Sequence, residues 1–246
     1  GIKSTPVISR SGSTIHKLKI YVGYDSREDI AYQVCRHSLL KHTTFPIEIT
    51  PIVQSDLRSA GIYTRTRGAT ESTEFSFTRF LTPFLANFEG WAMFVDCDFL
   101  YTADIRELVE LLDDTFAVMC VHHDFTPKSA TKMDGVPQTS YPRKNWSSMV
   151  LYNCSHPKNK VLVPQIVNTQ SGAFLHRFMW LDDEDIGSIP FVWNFLVGHN
   201  EMPPRQEEEE EEDGNGLGSR LPKAIHYTCG GPWFDDWKDC EYAKEW

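Results

Sequence analysis

Nowhere in the chain do about 18 uncharged apolar residues run together, and the opening GIKSTPVISRSGS lacks the apolar centre of a secretory signal. No membrane segment is expected in this sequence. The chain does not begin with Met, which leaves room for an anchor upstream. Cys35, Cys97, Cys120, Cys154, Cys229 and Cys240 form no C-x-x-C pair and no finger spacing, which argues against a disulfide scaffold and a structural zinc site. They read as small apolar residues in a reducing compartment. Asn145 and Asn153 head sequons on either side of an expected core strand, where a glycan does not fit. Both points favour the cytoplasm, with a Golgi lumen the alternative if an anchor precedes the chain. Basic charge is also short: 24 Lys and Arg stand against 34 Asp and Glu. No stripe of cations interleaved with aromatics is present, so nucleic acid is not an expected partner. Seven acids fall in the run 207 to 213, so the remaining body is only mildly acidic.

What is present is enough apolar content, 41% of 246 residues, to fill a sizeable core. Residues 1 to 16 read as a flexible polar tail, and 17 to 246 as a single domain. KLKIYVG alternates into a first strand ending near Gly23. Ser26 and Asp29 have capping-box spacing for a helix through about Lys41, and IEITPIV supplies a second strand. This β-α-β opening predicts an α/β fold with a mostly parallel central sheet flanked by helices. Downstream, FSFTRFLTPFL predicts a helix restarted near Pro83, WAMFVD a strand, DIRELVELL a helix and TFAVMCV a strand. SSMVLYN is a short continuous apolar run, as for a strand buried on both faces. Two helical stretches reach about Leu181, and KAIHYT is a last strand. Residues 122 to 146 read as a long loop over the sheet, and about 203 to 220 as a disordered acidic insertion.

The strand WAMFVD ends in an acid, and a second follows one residue later. In extended backbone, residues i and i+2 face the same side, so Asp96 and Asp98 project together while Cys97 points away. Two adjacent like charges call for a cation between them. Ligands of α/β sheets bind beyond the carboxyl ends of the strands, and a divalent ion completed by phosphate oxygens suits that position. An isolated D-x-D is common, however, and one acid capping the next helix while the other is solvated is the plain alternative.

FVDCDFL preceded by FTRFLTPFL resembles the D-x-D region of GT-A nucleotide-sugar glycosyltransferases, above all the retaining, glycogenin-like group. KNWSSMVLYN is similar to that group's small-residue strand, and HYTCGGPWF to its late His-containing segment. WLDDEDIGSIPFVWNFLVG together with HYTCGGPWF resembles compact bacterial, plant and algal-virus glycosyltransferase domains. The likeness spans about residues 18 to 237.

It implies transfer of a hexose or deoxyhexose, with retention, from a nucleoside diphosphate sugar, UDP-linked by expectation. The acceptor is a glycan, lipid, protein or small molecule that the sequence does not name. Asp96, Asp98 and His226 would hold Mn²⁺ or Mg²⁺, and the imidazole tilts the choice to Mn²⁺. Gly23, Tyr24, Asp25 and Arg27 would take the nucleotide, with Cys97, Asn145, Ser147, Gly230 and Gly231 counted among the donor-binding residues. Arg79 corresponds to the family's helical Arg, and Asp183, then Asp182, to the acid facing the anomeric carbon. Each has a structural alternative: a helix cap for Asp25, a salt bridge for Arg79, a turn for Gly230 and Gly231, a solvated face for the acid run. A sugar-nucleotide-binding pseudoenzyme and a nucleotidyltransferase of related fold are the competing functions. A dehalogenase-like phosphatase is disfavoured because Phe99 and Leu100 follow the acid pair.

Overall fold

The computed structural model describes residues 1–124, 143–204 and 221–246. Most of the expected 122 to 146 loop and of the acidic insertion therefore lies outside the described residues. The amino-terminal stretch departs from a polar tail. Val7–Ile8 (β1) pairs antiparallel with Thr14–Ile15 (β2), because Val7 and Ile15 are buried and pin the hairpin to the body. Each such burial contributes roughly 1.5–3 kcal/mol.

β3 (Leu18–Gly23) runs as expected and leads into a helical turn whose cap is Asp25, accepting from the Arg27 N–H. Ser26 does not form the capping box; its hydroxyl donates to Glu74. α1 (Asp29–His42) buries Ala31, Tyr32, Cys35, Ser38 and Leu39, the spacing of one helical face. β4 (Ile47–Ile52) returns parallel to β3, and α2 (Gln54–Ser59) follows. A 3₁₀ turn at Thr78–Leu81 restarts as α3 (Thr82–Leu85) with Pro83 in its first turn, where a missing N–H costs nothing. β5 (Trp91–Val95) is buried at every position, lying between β3 and a later strand.

β6 (Phe99–Tyr101), α4 (Ile105–Val109), β7 (Val118–Cys120) and β8 (Met149–Asn153) come next. α5 (Pro164–Thr169), α6 (Gly172–His176), β9 (Ile186–Ser188), β10 (Phe195–Leu196) and β11 (Ala224–His226) complete the order. The main sheet has the order β4-β3-β5-β8-β7-β9; β8 alone runs antiparallel to its neighbours, and it too is buried throughout. A second sheet has the order β10-β11-β6. The chain leaves the main sheet at the end of β5 and enters the second at β6, so Asp96 and Asp98 lie on the step between two sheets. All six cysteines are free thiols, four of them buried. Asn153 is buried and donates to the Asp114 and Phe116 carbonyls, which leaves no room for a glycan. Among the described residues, no helix is long and apolar enough to cross a membrane.

Candidate functional site

The step between the sheets has a fixed geometry. The Asp96 N–H donates to the Ser148 carbonyl at 2.9 Å, and β6 pairs antiparallel with β11 in the register His226 opposite Phe99. That register sets the imidazole beside Asp98, stacked on the Phe99 ring at 4.2 Å between centroids. Asp96, Asp98 and His226 each offer a ligand atom, and these atoms lie within 4.8 Å of one another. The two acids come together as expected, but across a turn at Cys97 and Asp98 rather than along extended backbone; Cys97 is buried, with its Sγ 3.7 Å from Glu28. Its side chain is not part of the cluster, and burial pushes its thiol far up.

Arg79 supplies the local positive charge. It is buried, and Nη1 donates to Asp96 Oδ1 at 2.8 Å and to the Ser147 carbonyl at 3.0 Å, while Nε donates to the Phe75 and Ser76 carbonyls. Burial nevertheless holds the Asp96 carboxyl above the usual range, at about 6; Arg79 opposes this, and the Asp98 charge adds to it. Among the described residues, one cation pairs with these two carboxylates, which leaves the corner short of positive charge. Asp98 Oδ1 is shut from solvent and receives no hydrogen bond of good geometry, although His226 Nε2 lies 3.1 Å away. A buried carboxylate oxygen without a donor is costly, and two carboxylates with an imidazole are the donor set of a divalent cation. The residues present therefore fit a metal ion.

Around this centre lies a polar shell. His226 Nδ1 is 2.9 Å from Asn194 Oδ1, Asn194 Nδ2 donates to Ser148 Oγ, and Ser148 Oγ donates to the Asn145 carbonyl. Asn145 sits in left-handed backbone at φ 63°, opening the turn into β8. Ser147 Oγ meets His176 Nδ1 at 2.8 Å. Burial, then the Arg79 charge, pushes the His176 ring down to about 3. Asn194 and His176 are absent from the sequence-based set. Asn194 left one clue, a lone amide inside the apolar run FVWNFLV.

The other expected residues divide. Gly23 closes β3 against Phe75, whose ring lies 2.5 Å from where a Cβ would be. Tyr24 donates to Asp29 Oδ1 and packs edge-on to Tyr32. Asp25 is buried and accepts from Arg27 N, Nε and Nη2 and from the Glu74 N–H, so the structure commits it to the cap and leaves little capacity for a ligand. Arg27 also donates to the Ser72 carbonyl. Gly230, at φ 145°, and Gly231 have indoles where side chains would be: Trp237 lies 2.5 Å from a Cβ at the first, and Trp233 covers the second. Ring packing is reason enough for both glycines, and the Gly230 N–H already donates to the Tyr227 carbonyl.

Asp182 and Asp183 do not join the cluster. β9 runs in the same direction as β5, and the acids precede it, whereas Asp96 follows β5. The Ala117 N–H bonds the Asp185 carbonyl, and Asn153, which bonds the Ala117 carbonyl, pairs with Trp91, which places the Asp185 main chain level with the start of β5, while the Asp183 side chain reaches Arg143, two residues before Asn145. β9 is also three strands away from β5, roughly 14 Å at ordinary strand spacing. Asp182 and Asp185 form a capping box and share Lys158; Asp183 is exposed and pairs with Arg143 at 2.5 Å.

No family model matches the chain. Solved structures resemble it at low identity. The WbbM bifunctional glycosyltransferase superposes with TM-score 0.60 at 16% identity over 93% of this chain and 48% of its own. GlyE of Streptococcus pneumoniae TIGR4 gives 0.56 at 16% over 94% of this chain and 59% of its own. The chain thus spans about half the length of these two. The galactosyltransferase LgtC, in complex with donor and acceptor sugar analogs, gives 0.52 at 12% over 89% and 91%. These likenesses establish a GT-A glycosyltransferase fold. In sequence, Protein CDI of Arabidopsis thaliana is 65% identical over 237 residues, 96% of this chain and 87% of that protein. At that identity and coverage, the chain belongs to the family of Protein CDI, carried on a GT-A fold.

Proposed function

We propose that this chain is a metal-dependent glycosyltransferase that moves a hexose or deoxyhexose, with retention, from a UDP-linked sugar to an acceptor hydroxyl. The observation that carries the reading is the cluster of half-buried Asp96 and Asp98 with buried His226, with its donorless Asp98 oxygen, at the carboxyl end of β5 on a GT-A scaffold. The galactosyltransferase LgtC, which was solved with donor and acceptor sugar analogs, supports the substrate class.

Breaking the bond between an anomeric carbon and a diphosphate builds negative charge on the leaving group. Asp96, Asp98 and His226 would hold a Mn²⁺ or Mg²⁺, which would supply Lewis acidity against that charge. Arg79 keeps Asp96 ionised and aimed by a fixed hydrogen bond, so that less reorganisation is needed when the donor arrives. Gly23 and Tyr24, at the mouth of β3 two strands' width from β8, form the nucleotide side, with the exposed Arg27 beside them. Asn145 and Ser147 form the sugar side. Gly230 and Gly231 follow His226 on the same edge.

The reading is tested by calorimetric titration of nucleotide sugars with and without Mn²⁺, followed by NMR of the product anomer. A UDP-sugar that binds only with Mn²⁺ and yields a retained linkage is expected. Absence of any Mn²⁺-dependent nucleotide binding would overturn the assignment; an inverted product would overturn retention alone.

A further inference from the structure

We infer that Asn194 is the positioning residue that fixes the tautomer of His226, placing the imidazole proton on Nδ1 and turning the bare Nε2 toward Asp98. The inference rests on the metal reading above and adds a residue that neither the D-x-D pattern nor the late His segment contains.

Asn145 sits where its carbonyl oxygen, which can only accept, takes the Ser148 hydroxyl proton at 2.7 Å. The Ser148 oxygen is then left to accept, and it does so from Asn194 Nδ2 at 2.9 Å. That contact orients the Asn194 amide, which is wholly buried. Its Oδ1 faces His226 Nδ1 at 2.9 Å, and an amide oxygen cannot donate, so Nδ1 carries the proton. In the neutral ring, Nε2 is then a lone pair, 3.1 Å from Asp98 Oδ1.

Two acceptors thus lie 3.1 Å apart without the alignment of a hydrogen bond, and Asp98 Oδ1 is left without a donor. The arrangement is unfavourable as it stands and becomes favourable when a cation takes both atoms as ligands. The Phe99 ring, stacked on the imidazole with planes 22° apart, keeps it in that plane. Metal-binding imidazoles owe their orientation to a partner on the other nitrogen. Here that partner is an amide fixed in turn by a serine and a main-chain carbonyl.

The test uses the full chain with ¹⁵N-labelled histidine and no metal, at about pH 8, above the ordinary imidazole range. Long-range ¹H–¹⁵N correlation, with His226→Gln to assign the ring, should show a protonated Nδ1 and a bare Nε2. A protonated Nε2 would overturn the inference without any variant. Titration with MnCl₂ alone, followed by electron paramagnetic resonance, gives the second reading. Asn194→Leu, of similar size but with no acceptor, should weaken Mn²⁺ binding about 10- to 100-fold, and Asn194→Asp, which keeps an acceptor, should restore it. Wild-type affinity in a folded Asn194→Leu chain would contradict the inference. If the wild-type chain bound no Mn²⁺, the metal reading would fail while the tautomer measurement still stood. If Asn194→Leu did not fold, the wild-type tautomer would decide.

Discussion

Aspartates gather at two places on the main sheet, under opposite conditions. At the carboxyl end of β5, the Asp96 and Asp98 side chains are 15% and 21% exposed, close to each other, with the Arg79 guanidinium paired to Asp96 alone. Away from that corner, the Asp182 and Asp183 side chains are 77% and 91% exposed; Asp182 shares Lys158 with Asp185, and Asp183 pairs with Arg143. Carboxylates exposed to this degree are screened by water, and such pairs contribute about 0–1 kcal/mol. Buried like charges of the first kind persist only where something compensates them. The number of acids in a run is thus a poor guide to chemistry. Burial and the shortage of counter-charge distinguish the two places.

The largest effect is expected from Arg79→Met, which leaves Asp96 buried without its partner. A loss of about 3–5 kcal/mol is predicted, read by urea unfolding; an unchanged midpoint would show that Asp96 needs no counter-charge. Asp98→Ala should weaken Mn²⁺-dependent UDP binding at least about 100-fold, close to 2.7 kcal/mol, while leaving the fold intact by circular dichroism. Wild-type affinity in that variant would remove Asp98 from the site.

A third prediction concerns acid. Burial, with Arg79 nearby, pushes His176 down to about 3, and burial, with His226 nearby, pushes His123 down to about 4. Between those values and the ordinary 6.5, the unfolded chain binds protons that the folded chain refuses. Stability is therefore present in full above about 6.5 and falls as pH drops below it, by up to about 1.4 kcal/mol per pH unit for each ring. Asp96, whose pKa is raised to about 6, acts in the opposite sense. The difference between wild type and His176→Gln isolates the imidazole, and the variant should lose stability less steeply between about pH 6 and pH 4; equal slopes would contradict this. The smallest effect belongs to the exposed acid run. Asp183→Ala should change stability by less than about 0.5 kcal/mol and leave turnover unchanged, and a turnover collapse would return that residue to the reaction.

The sequence made the metal corner legible because backbone periodicity is local. Apolar residues through Val95 mark β5, and two acids one residue apart at its end stay close whether the chain runs on extended or, as here, turns at Cys97 and Asp98. His226 was legible only through the likeness of HYTCGGPWF to a family segment. Where Asp183 falls depends on β9, a three-residue strand whose parallel pairing to β7 leaves no trace in spacing. β6 and β10 were missed for the same reason: two or three residues carry no period. The amino-terminal hairpin rests on Val7 and Ile15 alone, too few to stand out from a polar segment. Asn194 acquires its role from a register between β11 and β6 and from a serine 46 residues away.

The most direct test of the comparison is anomalous X-ray scattering from crystals of this chain soaked with Mn²⁺ and UDP. The account predicts one strong peak among the Asp96, Asp98 and His226 side chains, in contact with the diphosphate. A corner without manganese, or a peak beside Asp182 and Asp185 instead, would contradict it.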